Sequence, residues 1–559
     1  MPSNASTPGV PRTFDSARDI AERGALRVCT AAQASARDQA AIRAGVPAFS
    51  LMLRAGTAAA EALLRFAGDR VAHGVAVYAG SGNNGGDAYV MAAQLARAGV
   101  RVRMCAASPP RTADGQRAEA LAAPRLVHGE PTGREQVVVD GLLGTGHRGE
   151  LRGPIAAACV ALASARARGA CSVALDVPTG LDATTGEIAV GSEAADLTVS
   201  FGTFKRGHLI ARAHVGALQL ADIGLGVHAD GDDDAWHMIS ARSLAASAPA
   251  IAWNAHKGTR GHVAIVGGAD GMVGAVILAA RGALRAGCGL VRALAEAPGV
   301  GAVQQAVPHV ITRRWPVPAS LEQGATAGRA EPWGSALAIG PGLGRSSASL
   351  AVLQRALQEN VGIPIVLDAD GLSLMAMTEG THGDGLGRVA ARLRELAQGV
   401  PALVLTPHAG EFARLTGAPT PSNWQARGDV LREFAMRCQA TVLLKGTPTL
   451  IASPDGAQIR VVARGTALLA TGGSGDVLTG MLVALLAQGA SGVAAAVLAA
   501  TVHGMAAELV VSTVQTLRGP TLDDVLDALP AAWRTLQTTS TVAPGIIASL
   551  PDVNIGTRW

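Results

Sequence analysis

Residues 470–480 read Ala-Thr-Gly-Gly-Ser-Gly-Asp-Val-Leu-Thr-Gly, and an apolar segment typical of a buried helix follows them. Closely spaced glycines expose backbone N–H groups, and the N-terminus of a helix adds a partial positive charge. Such a loop stabilises the charge that develops on a transferring phosphoryl group, and Asp476 is placed to remove a hydroxyl proton as a general base. An aspartate that only caps a helix would explain Asp476 but not the whole Gly-Gly-Ser-Gly-Asp string. The segment therefore predicts a phosphoryl-transfer site at the start of a helix.

The rest of the sequence alternates between short β-branched runs and Ala- and Leu-rich runs, which is the pattern of parallel α/β units. An irregular acidic segment, Asp230-Gly231-Asp232-Asp233-Asp234, separates two series of such units. The β-branched runs lie at 75–78, 137–139, 172–175 and 197–201, and then at 263–266, 336–339, 365–367, 402–405 and 441–444. We therefore expect an N-terminal extension at 1–24, an α/β domain at 25–225, a linker at 226–250, a second α/β domain at 251–540 and a tail at 541–559.

Length and composition exclude several classes of protein. The 559 residues exceed the roughly 100–200 of a typical domain, and 49% hydrophobic against 16% charged residues indicates globular domains. The net charge of +4 comes without a basic cluster interleaved with aromatic residues, so no nucleic-acid partner is expected. The six cysteines form no Cys-x-x-Cys pair, so they are expected to be core residues. No apolar signal segment stands at the N-terminus, so we expect the protein in the reducing cytoplasm. The apolar residues 477–501 are interrupted at 488–492, which favours two buried helices, and no membrane partner is expected.

Lysine is rare in this chain. It occurs only at Lys205, Lys257 and Lys445, each within two residues of a glycine, and arginine supplies the other basic positions. An ammonium group is a compact point charge, whereas a guanidinium group is a planar fork. One hypothesis is that the three lysines mark sites that need the compact charge; the alternative is that they persist by chance.

A second glycine-rich loop lies in the N-terminal half. Residues 77–87 read Val-Tyr-Ala-Gly-Ser-Gly-Asn-Asn-Gly-Gly-Asp, leave a predicted strand and open a predicted helix at 88–98. Backbone amides at such a helix N-terminus cradle a pyrophosphate. Two further loops, at 140–146 and 176–182, also follow predicted strands. Because loops at the carboxyl ends of parallel strands converge on one crevice, a shared site is expected for Asn84, Asp87, Asp140, Asp176 and Thr179.

Together these loops resemble the YjeF N-terminal family of NAD(P)H-hydrate repair proteins over about 25–225, with further matches at 30–33, Asp38 and 51–56. The resemblance implies a Rossmann-like three-layer α/β fold that interconverts the R and S epimers of hydrated NADH or NADPH. Two departures from the family pattern are Ala88 in place of Gly and Thr179 in place of Ser. By position, the resemblance implies substrate binding by Asn83, Asn84, Gly85, Gly86, Asp87, Gly144, Thr145, Gly146, His147, Arg148, Gly149, Glu150 and Asp176, and a potassium ion held by Asn84, Asp140 and Thr179.

Asp176 is the candidate catalytic residue of this half. Interconversion of the epimers needs a carboxylate that moves protons while the ring is held. An aspartate two residues before a proline, here Pro178, can also do no more than cap a turn. The neighbouring loops favour the catalytic interpretation.

The C-terminal half carries a further series of motifs. Together with residues 470–480 they resemble the YjeF C-terminal family, the ADP/ATP-dependent NAD(P)H-hydrate dehydratases, over about 251–535. Sugar and vitamin kinases of the same superfold share the Gly-Gly-Ser-Gly-Asp string but not the Thr-Pro-His-x-Gly-Glu string found here. Ala409 replaces the usual Pro and Thr466 the usual Asn. The motifs are His256-Lys257-Gly258-Thr259-Arg260-Gly261-His262, Val266-Gly267-Gly268-Ala269, Val273-Gly274-Ala275, Gly340-Pro341-Gly342-Leu343-Gly344, Leu367-Asp368-Ala369-Asp370-Gly371, Leu405-Thr406-Pro407-His408-Ala409-Gly410-Glu411 and Leu444-Lys445-Gly446-Thr447-Pro448-Thr449.

This second resemblance implies a ribokinase-like α/β fold. In it Asp476 activates the ring hydroxyl and Lys445 neutralises phosphate charge. For His408 alone, a hydrogen-bonded surface histidine is the better interpretation, and only its motif makes the two interpretations about equally favoured. By position, the hydrated cofactor contacts Ala275, Gly342, His408 and Asp476, and the adenine nucleotide contacts Lys445, Gly446, Thr447, Pro448, Thr449 and Gly475.

The two resemblances together imply a bifunctional enzyme, an NAD(P)H-hydrate epimerase fused to an ADP-dependent (S)-NAD(P)H-hydrate dehydratase that releases AMP and phosphate. ADP is the expected co-substrate, with ATP as the open alternative, and K⁺ and Mg²⁺ are the expected ions. The expected small-molecule partners are NADH-hydrate or NADPH-hydrate and ADP, and the expected assembly is a homo-oligomer. Two alternatives stay open: a ribokinase-like kinase of a small hydroxylated metabolite, and an N-terminal half that is a non-catalytic nucleotide-binding module.

Overall fold

A computed structural model of the chain describes residues 25–225, 236–315, 333–377, 385–538 and 545–554. The chain divides into two compact units, Met1–Asp232 with Thr541–Ser549, and Asp233–Ser540 with Leu550–Trp559. The predicted N-terminal extension at 1–24 lies outside the described residues, as do 226–235 of the predicted linker and 541–544 and 555–559 of the predicted tail.

The helices and strands of the N-terminal unit alternate as the sequence pattern predicts. In chain order they are β1 (Ala25–Cys29), α1 (Ala31–Arg43), α2 (Ala48–Ala67), β2 (Val75–Ala79), α3 (Asn83–Arg97), β3 (Val102–Ala106), α4 (Ala113–Ala122), β4 (Val127–His128), β5 (Val137–Gly141), α5 (Gly153–Ala167), β6 (Cys171–Leu175), β7 (Leu197–Phe201), β8 (Phe204–Lys205), α6 (Arg206–Ile210) and β9 (Ala217–Ala221).

The C-terminal unit continues the same alternation. Its elements are β10 (Trp236–Ile239), α7 (Ala241–Ser247), β11 (His262–Val266), α8 (Val273–Arg285), β12 (Leu290–Glu296), α9 (Val300–Ala306), β13 (Ile311–Trp315), β14 (Ala336–Ile339), α10 (Ser347–Glu359), β15 (Ile365–Leu367), α11 (Ala369–Met377), α12 (Gly385–Gln398), β16 (Leu403–Leu405), α13 (Ala409–Thr416), α14 (Trp424–Cys438), β17 (Thr441–Leu444), β18 (Thr449–Ala452), β19 (Ile459–Val462), α15 (Ser474–Ala487), α16 (Gly492–Val514) and α17 (Leu522–Thr538). A last strand, β20 (Ile546–Leu550), follows.

The N-terminal unit is a three-layer α/β sandwich. Its main sheet has the strand order β20-β9-β7-β6-β5-β2-β3-β4, and the pairs from β9 to β4 are parallel. Successive residues of a strand point to opposite faces. In β2, Val75 and Val77 therefore pack in the core with α2 and α3, whereas Ala76 and Tyr78 pack in a separate core with α5.

The C-terminal unit is built on strands in the order β13-β12-β11-β14-β15-β16-β17-β18-β19-β10. The strands from β13 to β17 are parallel, β18 is antiparallel to both of its neighbours, and β10 is parallel to β19. One core contains residues of α8, α15, α16 and α17 together with Val263 and Ile265 of β11. The predicted fold classes, a Rossmann-like three-layer domain and a ribokinase-like α/β domain, are confirmed.

Two segments carry regular structure that the sequence pattern did not indicate. Residues 236–247 of the predicted linker form β10 and α7, and residues 546–550 of the predicted tail form β20. β20 extends the sheet of the N-terminal unit beside β9, and the Asp222 N–H donates to the Gly545 carbonyl at 2.9 Å. The C-terminal end of the chain therefore contributes a strand to the N-terminal fold.

The apolar residues 477–501 lie in two helices, α15 and α16, with a break at 488–491, as predicted. Helix α16 is long and apolar enough to cross a membrane by length and composition, but most of its apolar stretch is buried inside the protein. The prediction of two buried helices is confirmed for this segment.

Candidate active sites

A cavity of about 590 Å³ lies at the carboxyl ends of three neighbouring strands of the N-terminal unit, β2, β5 and β6. Its wall includes residues 81–84 after β2, residues 142–147 after β5, and Asp176 after β6. Helices α1 and α2 supply further wall residues, and Lys205 at the end of β8 supplies another. The three loops that the sequence predicts to converge thus meet at one cavity.

Asp176 is held by an ion pair in the wall of this cavity. Its backbone adopts the left-handed conformation with φ of 59°, which is uncommon for a residue other than glycine. The carboxylate accepts hydrogen bonds from the Lys205 ammonium and from the Phe201 N–H, the latter at 3.1 Å. Lys205 is itself fixed, because Nζ also donates to the Phe201 carbonyl at 3.0 Å and to the Ser200 hydroxyl at 3.2 Å, and its side chain is only 3% exposed. Asp176 therefore does more than cap the turn before Pro178.

The three predicted potassium ligands form one connected buried network beside the cavity. Thr179 donates to Asp140 twice, from its hydroxyl at 2.6 Å and from its N–H at 2.7 Å. The Leu143 N–H donates to the Thr179 hydroxyl at 3.0 Å, and the Asn84 Nδ2 donates to the Leu143 carbonyl at 3.0 Å. Asn84 Oδ1 is buried and has no hydrogen-bond partner, and burial raises the pKa of Asp140. Buried polar atoms are normally paired, so this oxygen is suited to a cation ligand.

Three further carboxyl groups line the cavity, those of Asp38, Asp87 and Asp114. Burial and the nearby charge of Asp176 raise the pKa of Asp38 to about 6, against the opposing effect of Lys205. The pKa of Asp87 is raised well above its ordinary value, first by burial and then by the charges of Asp176 and Asp38. The cavity therefore combines one ion-paired carboxylate with two carboxyl groups, those of Asp38 and Asp87, whose pKa is raised by burial and by neighbouring negative charge.

The structure places some of the predicted substrate-binding residues away from the cavity wall. Gly144–His147 and Asn83, Asn84 and Asp87 line it. Gly85 and Gly86 instead pack inside α3, where a Cβ on Gly85 would lie 1.9 Å from the Gly80 carbonyl oxygen. The Arg148 side chain is 70% exposed and lies 4.0 Å from Asp182, and Glu150 pairs with Arg152 on the surface. Gly149 also lies outside the wall.

In the C-terminal unit, Asp476 lies in the first turn of α15, directly after the glycine-rich loop. Gly473 precedes this helix with φ of 94°, a conformation that favours glycine. Burial raises the pKa of Asp476 to about 7, with the Asp368 charge acting in the same direction and the Lys445 charge opposing it. A carboxyl group with a pKa near neutrality is suited to general base catalysis.

Lys445 joins four separate segments at this site. Its Nζ donates to Asp368 Oδ1 at 2.8 Å and lies 3.8 Å from Glu411 Oε2. Asp368 also accepts a hydrogen bond from the Thr479 hydroxyl at 2.6 Å. A Cβ on Gly475 would lie 3.4 Å from Lys445 Nζ, so the ammonium lies beside the glycine-rich loop. Burial opposes the charged form, but the carboxylates of Asp368 and Glu411 raise the pKa of Lys445, so it stays an ammonium.

The side chain of His408 caps helix α13. Its Nδ1 accepts hydrogen bonds from the Gly410 and Glu411 N–H groups at 3.0 and 3.4 Å, while the Glu411 carboxylate accepts from the His408 N–H at 2.8 Å. This reciprocal arrangement is a capping box. It fixes Glu411 close to Lys445 and gives His408 a structural role at the position where the resemblance implies a substrate contact.

The remaining predicted residues of this half form two groups. Gly342 has φ of 57°, and a Cβ there would lie 3.0 Å from Ala275 Cβ, so these two residues are neighbours. Residues 445–449 connect β17 to the antiparallel β18, and the Thr449 hydroxyl donates to the Gly446 carbonyl at 3.0 Å. The predicted nucleotide-binding turn, Lys445, Gly446, Thr447, Pro448 and Thr449, therefore begins at the ammonium group described above.

Comparisons with known proteins match both halves of the chain. Residues 263–530 match the family described as NAD(P)H-hydrate dehydratase, and residues 48–207 match the YjeF-related protein N-terminus. The "Bifunctional NAD(P)H-hydrate repair enzyme Nnr" of Moorella thermoacetica is 32% identical over 520 residues, which cover 88% of this chain and 93% of that protein. The chain belongs to this family of bifunctional NAD(P)H-hydrate repair enzymes.

Other proteins show similar sequence identity to this chain. The relative from Mycobacterium tuberculosis strain H37Rv is 36% identical over 468 residues, covering 82% of this chain and 89% of its own. Among solved structures, an ADP/ATP-dependent NAD(P)H-hydrate dehydratase from Bacillus subtilis, crystallised with ATP and Mg²⁺, is 28% identical and covers 53% of this chain and 97% of its own, with a TM-score of 0.43.

The structure adds residues that the sequence analysis did not assign to either site of this repair enzyme. Asp38, Asp368 and Glu411 all stand inside motifs quoted above, but without a role. Lys205 was singled out only because lysine is rare. Lys205 and Lys445 each lie in a candidate site and hold a carboxylate there, which agrees with the hypothesis for two of the three rare lysines. The third, Lys257, is exposed.

Asp368→Asn is expected to move the pH dependence of dehydration. The Asp368 charge raises the pKa of Asp476, so its removal lowers that pKa. If Asp476 works as a base, the rate rises as pH increases through that pKa, and in Asp368→Asn this rise should occur below pH 7, with a lower maximal rate because Lys445 is less well fixed. Profiles of kcat against pH for wild type and variant measure the shift. An unshifted profile would contradict the proposed coupling of Asp368 to Asp476.

Proposed function

We propose that the N-terminal unit interconverts the R and S epimers of hydrated NADH and NADPH, and that the C-terminal unit dehydrates the S epimer with ADP as co-substrate, releasing AMP and phosphate. The observation that carries this proposal is a pair of sites in one chain, each with a buried or ion-paired aspartate at the position that the family pattern assigns. The relatives named as bifunctional repair enzymes support it over most of the chain.

The N-terminal cavity provides for proton transfer at the hydrated ring. The loops after β2 and β5 hold the substrate against the ends of the strands, and the α3 N-terminus favours its phosphate charge. Asp176, oriented by Lys205 and the Phe201 N–H, faces the bound ring and takes up a proton during the reaction. A cavity of about 590 Å³ matches the size of a small-molecule site.

The donors at Asn84, Asp140 and Thr179 suit a potassium ion. They are oxygen atoms of an amide, a carboxylate and a hydroxyl group, which hard cations prefer, and Asn84 Oδ1 lacks any other partner. Bound there, the ion would supply positive charge beneath the loops that hold the substrate. Its contribution is to order those loops.

Asn84→Ala should abolish stabilisation by potassium. If the potassium concentration is about ten times the Kd for the folded protein, binding raises the free energy of unfolding by about 1.4 kcal/mol. For a domain of this size, that corresponds to a rise in Tm of about 3–6 °C. Thermal unfolding in potassium chloride and in choline chloride at equal ionic strength measures the difference. The neighbouring Asn83→Ala variant is the control and should keep the shift. A full potassium shift in Asn84→Ala would exclude this site.

In the C-terminal unit, Asp476 removes the proton of the ring hydroxyl, which then attacks the terminal phosphate of ADP. Backbone amides of the loop before α15 and the Lys445 ammonium stabilise the charge on the transferring group. The resulting phosphate ester is a good leaving group, and its departure with a ring proton restores the dihydronicotinamide. The site thus uses one phosphoanhydride bond to drive a dehydration.

Magnesium is the expected partner of the nucleotide. Mg²⁺ usually keeps several waters and binds through substrate phosphates plus one or two carboxylates. Glu411 and Asp368 beside Lys445 are the carboxylates that fit this role. When bound, Mg²⁺ neutralises phosphate charge.

The product balance with pure S epimer and ADP tests the dehydratase proposal. A dehydratase forms NADH, AMP and phosphate in equal amounts, and a small-metabolite kinase leaves a stable phosphorylated product without NADH or free phosphate. Both can be followed by absorbance of the dihydronicotinamide and by chromatography of the nucleotides. Accumulation of a phosphorylated product without NADH would overturn the proposal in favour of the kinase. Parallel reactions with ATP measure the nucleotide preference.

A further inference from the structure

The carboxyl groups that line the N-terminal cavity differ in their surroundings. Asp176 is bound by Lys205 and by the Phe201 N–H. The carboxyl groups of Asp38 and Asp87 line the same cavity but make no hydrogen bond in the described parts of the chain. Their carboxyl groups are therefore free to contact whatever fills the cavity.

Asp38 enters the cavity on a helix that is fixed in place. Helix α1 begins with a capping box between Thr30 and Gln33, at 3.2 and 2.8 Å. The Ala31 N–H donates to the Thr184 hydroxyl at 3.0 Å, which ties the start of the helix to the segment that follows Asp176. Asp38 and Asp176 thus reach the cavity from two different elements that are connected to each other.

The reaction proposed above needs an acid as well as a base. In the hydrated ring the hydroxyl-bearing carbon is bonded to the ring nitrogen. To invert this carbon, the C–O bond breaks, the nitrogen electron pair forms a C=N bond, and the hydroxyl leaves as water after it receives a proton. Water then adds to the opposite face and releases a proton, so one water leaves, one enters, and no oxidant is needed. Hydroxide is a poor leaving group, so the donor of the first proton controls the rate.

We propose that Asp38 is the general acid of the epimerase, and that its carboxyl group protonates the departing ring hydroxyl while Asp176 accepts the proton of the incoming water. This inference rests on the proposed epimerase function. Asp176 is suited to the accepting role because Lys205 and Phe201 already donate to its carboxylate. In the opposite direction the two groups exchange roles, and exchange with solvent resets their protons.

The protonation of Asp38 agrees with this role. Its pKa is raised to about 6 by burial and by the Asp176 charge, while Lys205 and Arg37 oppose the shift. Asp87 lies in the same cavity, and its own pKa is raised well above the ordinary value. Asp114 and His147 also line the cavity. A fraction of Asp38 therefore carries a proton near neutral pH.

The test is the exchange of purified S epimer into R epimer by the full chain without any nucleotide, so that the dehydratase stays inactive. Chromatography of the two epimers gives the rate after subtraction of the spontaneous reaction. Asp38→Asn should lower kcat for exchange by about 10²–10⁴-fold with little change in KM, because general acid catalysis contributes about that much. The wild-type rate should fall as pH rises through about 6, and the variant should lack that fall.

Two controls distinguish the loss of a general acid from damage to the fold. Glu61→Gln removes an exposed carboxylate of α2 that pairs with Arg65, and this variant should exchange the epimers at the wild-type rate. Asp38→Asn should still dehydrate pure S epimer with ADP at the wild-type rate, which shows an intact fold. If Asp38→Asn exchanges the epimers at the wild-type rate, or if the substitution changes KM but not kcat, Asp38 is not the general acid. If wild type does not exchange the epimers, the epimerase proposal fails and this inference fails with it.

Discussion

Asp476→Ala should abolish dehydration of the S epimer, with a rate lower than that of wild type by about 10²–10⁴-fold. Asp476 lies beside the glycine-rich loop and the Lys445 ammonium, where a hydroxyl group that attacks a phosphate must lose its proton. The pKa of about 7 means that the wild-type rate should rise as pH increases through neutrality, since only the carboxylate accepts a proton. Absorbance of the dihydronicotinamide product, with ADP and Mg²⁺ present, gives the rate.

The matched control is Asp523→Asn, which removes an exposed carboxylate that pairs with Arg281 on the surface of the C-terminal unit. It should dehydrate at the wild-type rate. Asp476→Ala should still exchange R and S epimers, because that reaction belongs to the other unit. Dehydration by Asp476→Ala within about tenfold of wild type would show that another group acts as the base.

Asp176→Ala should keep dehydration of the S epimer and lose enzymatic conversion of the R epimer. In a mixture of epimers with ADP, we expect this variant to convert the S fraction to NADH at the wild-type rate and then to stall, continuing only as fast as spontaneous epimerisation. The carboxylate that Lys205 and the Phe201 N–H hold in the cavity wall is lost, so the incoming water has no proton acceptor. The time course of absorbance should therefore show a fast phase whose amplitude equals the S fraction.

The control for Asp176→Ala is the pure S epimer, on which variant and wild type should be equal. A second phase as fast as in wild type would contradict the role of Asp176. Failure of the fast phase would mean that the substitution damages the C-terminal unit as well.

Local sequence carried most of the information about both sites. Glycine spacing after predicted strands located the cavity and the loop before α15, because backbone approach to a phosphate restricts which residues fit. For the same reason Asp176 and Asp476 could be chosen as catalytic candidates. The alternation of strands and helices predicted two α/β domains, since buried parallel strands and their covering helices have distinct periods.

Contacts between distant segments could not be predicted in the same way. The hydrogen bond between Lys445 and Asp368 joins residues 77 positions apart, and no local pattern specifies it. β20 pairs with β9, although more than half of the chain separates the two strands in sequence. Nothing in the local sequence of the predicted tail therefore indicated a strand there. His408 shows the opposite case, because its capping bonds with Glu411 are local, and a capping box over the four residues 408–411 could have been recognised.

The most direct test of the whole account is the total yield of NADH from a known mixture of R and S NADH-hydrate, incubated with the wild-type chain, ADP, Mg²⁺ and K⁺. We expect the amount of NADH to equal the sum of both epimers, with one AMP and one phosphate released for each NADH. A yield that stops at the S fraction would contradict the epimerase assignment, and no NADH at all would contradict repair by this chain.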